Sequence, residues 1–325
     1  MDLNSLERFV IYVPDRSSST RYRAGYIDRE GRVAIPPNFA DGLSFQEGLA
    51  SVKSGRKWGF IDAAGEFAIQ PKFSSYSRFQ EGLAPATNRS LRGFIDRSGE
   101  IAIECKYEFV GSFFEHLAVV STKNKYGFID KEGTEIIRPV YEDAREFSDG
   151  LAAVQVKDSW GYINPFGEIV IPPWFRPDGL AAAGRFSEGL AHVPVKDKFG
   201  YINKKGEMVI PPQFDTPGVF QDGIACVIYK SLSGFIDKTG NFLIPPKFKY
   251  ASDFKDGLAR VNINDRYGFI DTSGSISIPA EYWDAESFEN GLCHVHTERE
   301  VAYINVKGDI VWKGPYVEGR SGSLR

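Results

Sequence analysis

Catalysis and metal binding need unlike groups brought together, so the first residues to weigh are those that ligate, attack or carry a proton. The 325-residue chain holds only 4 His and 3 Cys. His294 and His296 stand two apart, which in a strand puts both imidazoles on one face and suits a divalent metal. No third ligand is identifiable beside them, and no two cysteines have zinc-finger spacing, so the pair reads as surface or packing residues and no metal is expected. Cys105, Cys226 and Cys293 are odd in number and far apart, the usage of a reduced, cytoplasmic protein with packing or idle thiols. No Ser, His and Asp constellation, phosphate-cradling glycine loop or dinucleotide fingerprint is present. The expectation is a non-enzyme with no cofactor.

Two acidic ladders are the remaining chemical candidates. The first is Asp28, Asp62, Asp96, Asp130, Asn164, Asn203, Asp237, Asp271 and Asn305. Rings of carboxylate oxygens would suit calcium, but no second acid recurs in each turn, and Asn serves as well as Asp for capping a turn. Capping is the reading taken. The second ladder, Glu47, Glu81, Glu115, Asp149, Glu188, Asp222, Asp256 and Asn290, precedes Gly-Leu-Ala or a variant and reads as a turn into a strand. No carboxylate pair unlike its copies stands out for hydrolysis.

The ladders belong to a repeat. Gly-Phe/Tyr-Ile-Asp/Asn starts at Gly25, Gly59, Gly93, Gly127, Gly161, Gly200, Gly234 and Gly268, with a degenerate ninth copy at Ala302. The spacing is 34 residues except for 39 between Gly161 and Gly200. Each copy adds a glycine six residues on, then Ile-Pro-Pro-x-Phe or a relative, then Phe-x-Glu/Asp-Gly-Leu-Ala. Asp62-x-x-Gly65 predicts a tight turn joining Phe60-Ile61 to Phe67-Ala68-Ile69, and Leu49 to Val52 predicts a strand before them. Each unit is then a three-stranded antiparallel meander. Both faces of the middle strand carry apolar side chains, so each sheet needs a neighbour on either side. Linker aromatics such as Phe73 and Phe79 are expected in the seams, and the prolines end the last strand. His116 replaces the glycine of one corner and His192 falls on a first strand, so neither suggests catalysis.

Lys57-Trp58-Gly59-Phe60-Ile61-Asp62, with Gly65, Ile69, Pro71 and Phe79 to Ala84, resembles the bacterial WG (KWG) repeat family over about residues 9–312. Trp precedes the glycine only at Trp58 and Trp160; Tyr126, Phe199 and Tyr267 substitute, while Ala24, Arg92, Ser233 and Val301 depart from the pattern. The resemblance implies an all-β repeat scaffold and no catalytic residues. The expected fold is therefore all-β, a tandem array of nine units curved into an open superhelical β-solenoid or a propeller-like ring, with a lean toward the open form. Residues 1–8 read as a cap segment, 9–314 as one repeat domain with an insertion near 176–184, and 315–325 as a flexible tail.

Net charge is −4, 39 Lys+Arg against 43 Asp+Glu, which argues against wholesale coating of nucleic acid. No apolar run is long enough to span a bilayer, and the first residues do not read as a secretory signal. Charge is unevenly placed, however. The nine loops between first and middle strands hold 16 basic and 6 acidic residues, and the first four of them hold 10 and 1. Arg16, Arg21, Arg23, Lys53, Arg56, Lys57, Arg89, Arg92, Lys123 and Lys125, with Tyr22, Trp58 and Tyr126 between them, form a candidate basic rim for an acidic protein partner. Trp174 and Arg176 beside the insertion are a second candidate anchor. The function expected is a protein–protein interaction scaffold, with a toxin-neutralising, immunity-type binder as its sharper form. The alternative is a multivalent lectin-like or other ligand-binding repeat protein.

Overall fold

A computed structural model describes residues 7–15, 17, 21–75, 77–176 and 182–317. All regular structure among them is β, in nine antiparallel sheets, one per repeat. The second repeat shows the plan: first strand Ala50–Ser54, middle strand Lys57–Ile61, last strand Phe67–Phe73. The meander is as the turn chemistry predicts. Asp62 Oδ1 accepts from the amides of Ala64 at 2.9 Å and Glu66 at 3.0 Å, and Gly65 N–H donates to the Asp62 carbonyl. Asn164 makes the same two bonds to Phe166 and Glu168, which is why Asn and Asp exchange freely along this ladder.

Four sheets add a fourth strand to the three expected: Asp41–Gly42, Phe109–Phe114, Asp143–Ala144 and Asp284–Ala285. In each the linker lies antiparallel to the first strand of the repeat it leads into. Buried tyrosines hold linkers down in the same way, since a phenol inside a core needs an acceptor. Tyr26 donates to the Leu43 carbonyl at 2.9 Å and Tyr162 to that of Gly184 at 2.8 Å.

The glycine after the aromatic has a steric cause. Trp58 pairs with Phe73 and Phe60 with Ile69, so the last strand carries extra residues as a bulge opposite Gly59. A Cβ on Gly59 would stand 2.6 Å from the Ile69 carbonyl oxygen and 2.8 Å from the Pro71 nitrogen, both backbone atoms that cannot step aside. The ninth repeat carries Ala302 there because its last strand, Ile310–Pro315, runs opposite without that bulge: Val301, Ala302 and Tyr303 pair in step with Gly314, Lys313 and Trp312.

The described residues fall into two compact units, one within 1–86, 97–100 and 254–325, the other within 87–96 and 101–253. In both, repeats meet face to face. Each linker phenylalanine lies against the middle-strand ring of the repeat before it: Phe79 is 4.9 Å from Phe60, Phe147 4.8 Å from Phe128, Phe186 4.8 Å from Tyr162 and Phe288 4.9 Å from Phe269. Each such ring is 1–2% exposed or less, and its burial contributes about 2 kcal/mol. In the first unit Ile11 and Ile27 of the first repeat pack with Leu292 and Tyr303 of the ninth, and Tyr303 donates to the Val10 carbonyl at 2.8 Å. The terminal repeats are thus as apolar as the rest because they cover each other.

Two predictions follow from this packing. Gly161→Ala would drive a Cβ to 2.6 Å from the Ile171 carbonyl oxygen and should cost about 1–3 kcal/mol, read as a lower urea midpoint, whereas Ala302→Gly should cost less than 1 kcal/mol. Burial also holds His192 neutral, its pKa lowered to about 4. An unfolded histidine takes up a proton near pH 6.5, so this contribution is complete above that pH and is lost as pH falls toward about 4. His192→Ser, the residue found at the equivalent Ser51, should flatten the fall in the urea midpoint between pH 6.5 and 4.5.

Candidate partner-binding surface

The loops between first and middle strands are short, and a two-residue hairpin loop of this kind needs left-handed backbone. Glycine and asparagine are the usual choices. Here long cations take the positions: Arg89 (φ 57°), Lys123 (φ 51°), Lys157 (φ 56°), Lys196 (φ 57°) and Lys230 (φ 50°), with Arg21 (φ 63°) in the first, longer loop. A side chain in this region costs about 1 kcal/mol or more, which the flanking strand pairs must hold in place.

Within the first unit, Arg56 and Lys57 are exposed and have no ion-pair partner among the described residues. Arg21 is exposed as well, whereas Arg23 pairs with Asp15 at 3.0 Å and reaches the Asn38 carbonyl. Lys53 lies 5.9 Å from the centre of the Trp58 ring. Trp58 is 6% exposed and Tyr22 is buried edge-on against Tyr12, so both support the loops from beneath and offer a partner little surface. Arg16 lies outside the described residues.

Within the second unit, Arg89 and Lys123 are exposed and without an ion-pair partner among the described residues. Arg92 stacks over Phe109 at 5.9 Å, and Lys125 pairs with Glu142 at 2.9 Å, which lowers the Glu142 pKa. Tyr126 is half-buried in the core against Phe109. Later loops of this unit place an acid directly after the cation, as in Lys157-Asp158 and Lys196-Asp197, so the imbalance read from the sequence is a property of the early loops. Trp174 is 68% exposed and Arg176 pairs with Asp158 at 3.2 Å. Residues 177–181 of the insertion lie outside the described residues.

The other candidates are drawn into the framework. His294 is 7% exposed with its ring 4.9 Å from that of His296, and burial, then the neighbouring His296, lowers its pKa to about 3. No cluster of three ligating side chains with metal-binding geometry occurs among the described residues. Burial pushes the Cys226 thiol up to about 12 and Cys293 higher still, so neither is a thiolate at neutral pH.

Sequence reasoning missed the work of the second acidic ladder. These residues do turn into the first strand, with Glu47, Glu115 and Glu188 each at φ 51°. Their carboxylates, however, reach forward to the next corner. Glu47 accepts from Glu81 N–H at 2.6 Å and Gly82 N–H at 3.0 Å, Asp149 from Gly189 N–H at 2.7 Å, and Asp256 from Gly291 N–H at 2.7 Å. The constant acid-glycine pair one repeat apart was the signal available in the sequence.

The model of the WG containing repeat matches at residues 25–58, 58–90, 93–126, 126–159, 160–175, 199–230, 234–267 and 267–295. No curated protein matches the sequence. Among solved structures, a eukaryotic initiation factor is similar in fold at 13% identity, with a TM-score of 0.68 over 95% of this chain and 96% of that one. The dihydro-heme d1 dehydrogenase NirN is similar at 11% identity, with a TM-score of 0.50 over 93% of this chain and 80% of that one. At such identities the likeness concerns the fold alone. With eight matched repeats along the chain, each with its middle-strand glycine opposite a bulge in the last strand, the chain belongs to the WG-repeat family.

Proposed function

We propose that this protein is a non-catalytic interaction scaffold that binds an acidic protein partner through its first-to-middle loops. The observation that carries the reading is the set of exposed cations without an ion-pair partner among the described residues: Arg56 and Lys57 in one unit, Arg89 and Lys123 in the other. Two of them, Arg89 and Lys123, sit at left-handed loop tips where glycine or asparagine would be less strained. The framework beneath is uniform from repeat to repeat while the loops differ, the division of labour expected where loops carry recognition. Opposite charge on a partner would speed encounter and fix orientation. A toxin-neutralising, immunity-type binder is one form this takes, acting by occupying the working surface of an acidic partner. A cytoplasmic location accords with the three free cysteines.

Capture from the lysate of the source cell, followed by titration of the protein retained, tests the reading. Arg56→Glu/Lys57→Glu and Arg89→Glu/Lys123→Glu should each weaken that partner about 10–100-fold, and added salt should weaken wild type more than either variant. Equal affinity for wild type and both variants would refute the basic loops as the contact surface. Several small ligands bound per chain, in place of one protein, would favour the multivalent alternative.

A further inference from the structure

One first-strand position fastens a repeat to the linker that follows it. Ser51 donates to the Ser77 carbonyl, and the Cys226 thiol to that of Ala251 at 3.6 Å. His294 holds the same position in the ninth repeat. Tyr303 beside it, whose counterparts Tyr26 and Tyr162 bond linker carbonyls, bonds Val10 of the first repeat instead. His294 is 7% exposed, yet its Nδ1 has no hydrogen-bond partner among the described residues. A nitrogen buried so deeply and left unpaired is costly until something meets it. The ring lines a cavity of about 240 Å³ within the first unit.

Charge is sorted across this cavity. The linker into the ninth repeat supplies the acids: Glu286, whose Oε1 is 4.0 Å from His294 Nδ1, and Glu289. The linker after the second repeat supplies the cation, Arg78. Neither Arg78 nor Glu289 makes an ion pair or a side-chain hydrogen bond with a described residue, so two opposite charges line one cavity without pairing. Ser44, Arg78 and Ser287 all line it from the place just before a linker phenylalanine. Burial keeps His294 neutral, so with its proton on Nε2 the Nδ1 lone pair is an acceptor.

From this geometry we infer that the cavity binds a small zwitterion, a free α-amino acid. Its ammonium group bonds His294 Nδ1 and the Glu289 carboxylate, with Glu286 close by, and its carboxylate meets Arg78. The Ser44 and Ser287 hydroxyls, which both donate and accept, serve either end. Pockets for drug-sized ligands start at about 300 Å³, so this smaller one suits a molecule of few heavy atoms. The site is independent of the basic loops.

Imidazole-resolved NMR on the full chain tests the inference, with L-alanine, propionate and ethylamine as probes. L-Alanine should shift the His294 ring nitrogens saturably while leaving those of His192 in place. Propionate and ethylamine, which each keep one of its two charges, should bind at least tenfold more weakly. Arg78→Gln and Glu289→Gln, both at exposed positions, should each weaken L-alanine at least tenfold with the thermal midpoint kept. Of the two, only Glu289→Gln should weaken ethylamine. His294 resonances that L-alanine leaves unmoved, propionate or ethylamine binding as tightly as L-alanine, or full affinity in either variant would overturn the assignment.

Discussion

A three-stranded sheet with apolar side chains on both faces cannot stand in water alone, and everything else in this molecule answers that constraint. Trp58, Phe60 and Ile61 are consecutive or nearly so on one middle strand, point to opposite faces, and are all buried. Burial on both sides is possible only if another sheet lies against each face. The linker phenylalanines meet the need at the seams, each set against the middle-strand ring of the repeat before it. The turn glycines do so as well. Gly65 lies against Ile35, and Gly206 against Ile171, so the turn that closes one hairpin also seats it on its neighbour.

The same constraint explains which residues vary. A middle-strand glycine is fixed by the backbone of the bulge above it and gives way to alanine only in the ninth repeat, where the bulge is missing opposite it. The aromatic before that glycine is less constrained. Trp58 and Trp160 are buried there, but Ser233 is buried as well, so the seam closes with a small side chain too. Loop tips contribute nothing to either face. They are free to carry charge, and in the early repeats they carry exposed cations.

Polar groups inside the array are used as fasteners. Tyr26, Tyr162 and Tyr201 bond linker carbonyls, while corner carboxylates bond the amides of the next corner. Such bonds are modest individually, about 1 kcal/mol and somewhat more where a carboxylate is the acceptor. Their value is in register: where they form, they tie one repeat to the next at a defined offset. Burial in this framework also raises the Tyr26, Tyr162 and Tyr303 phenols and lowers the His294 imidazole pKa, so none of them carries charge at neutral pH.

The repeat, its strands, its turns and the capping role of Asp62 and its copies were legible in the sequence because they depend on residues a few positions apart. Alternation and turn chemistry act locally, and 34-residue self-similarity multiplies the signal. The prolines, expected to end the last strand, instead lie within it at the bulge, as Pro36 and Pro37 do in Val33–Phe39, where an unpaired stretch tolerates the missing N–H. The basic character of the early loops was legible for the same reason. What only the tertiary structure decided are relations across seams. Trp58 and Tyr22 lie beneath the rim, since a residue's exposure depends on which neighbour covers it. The corner carboxylates clasp forward to the next repeat, since a bond over 35 residues follows from how sheets stack. The first and ninth repeats cover each other, since their apolar faces are of the same kind as every other and do not name their partners. Residue types set what each face needs, and the stacking of the sheets sets which face supplies it.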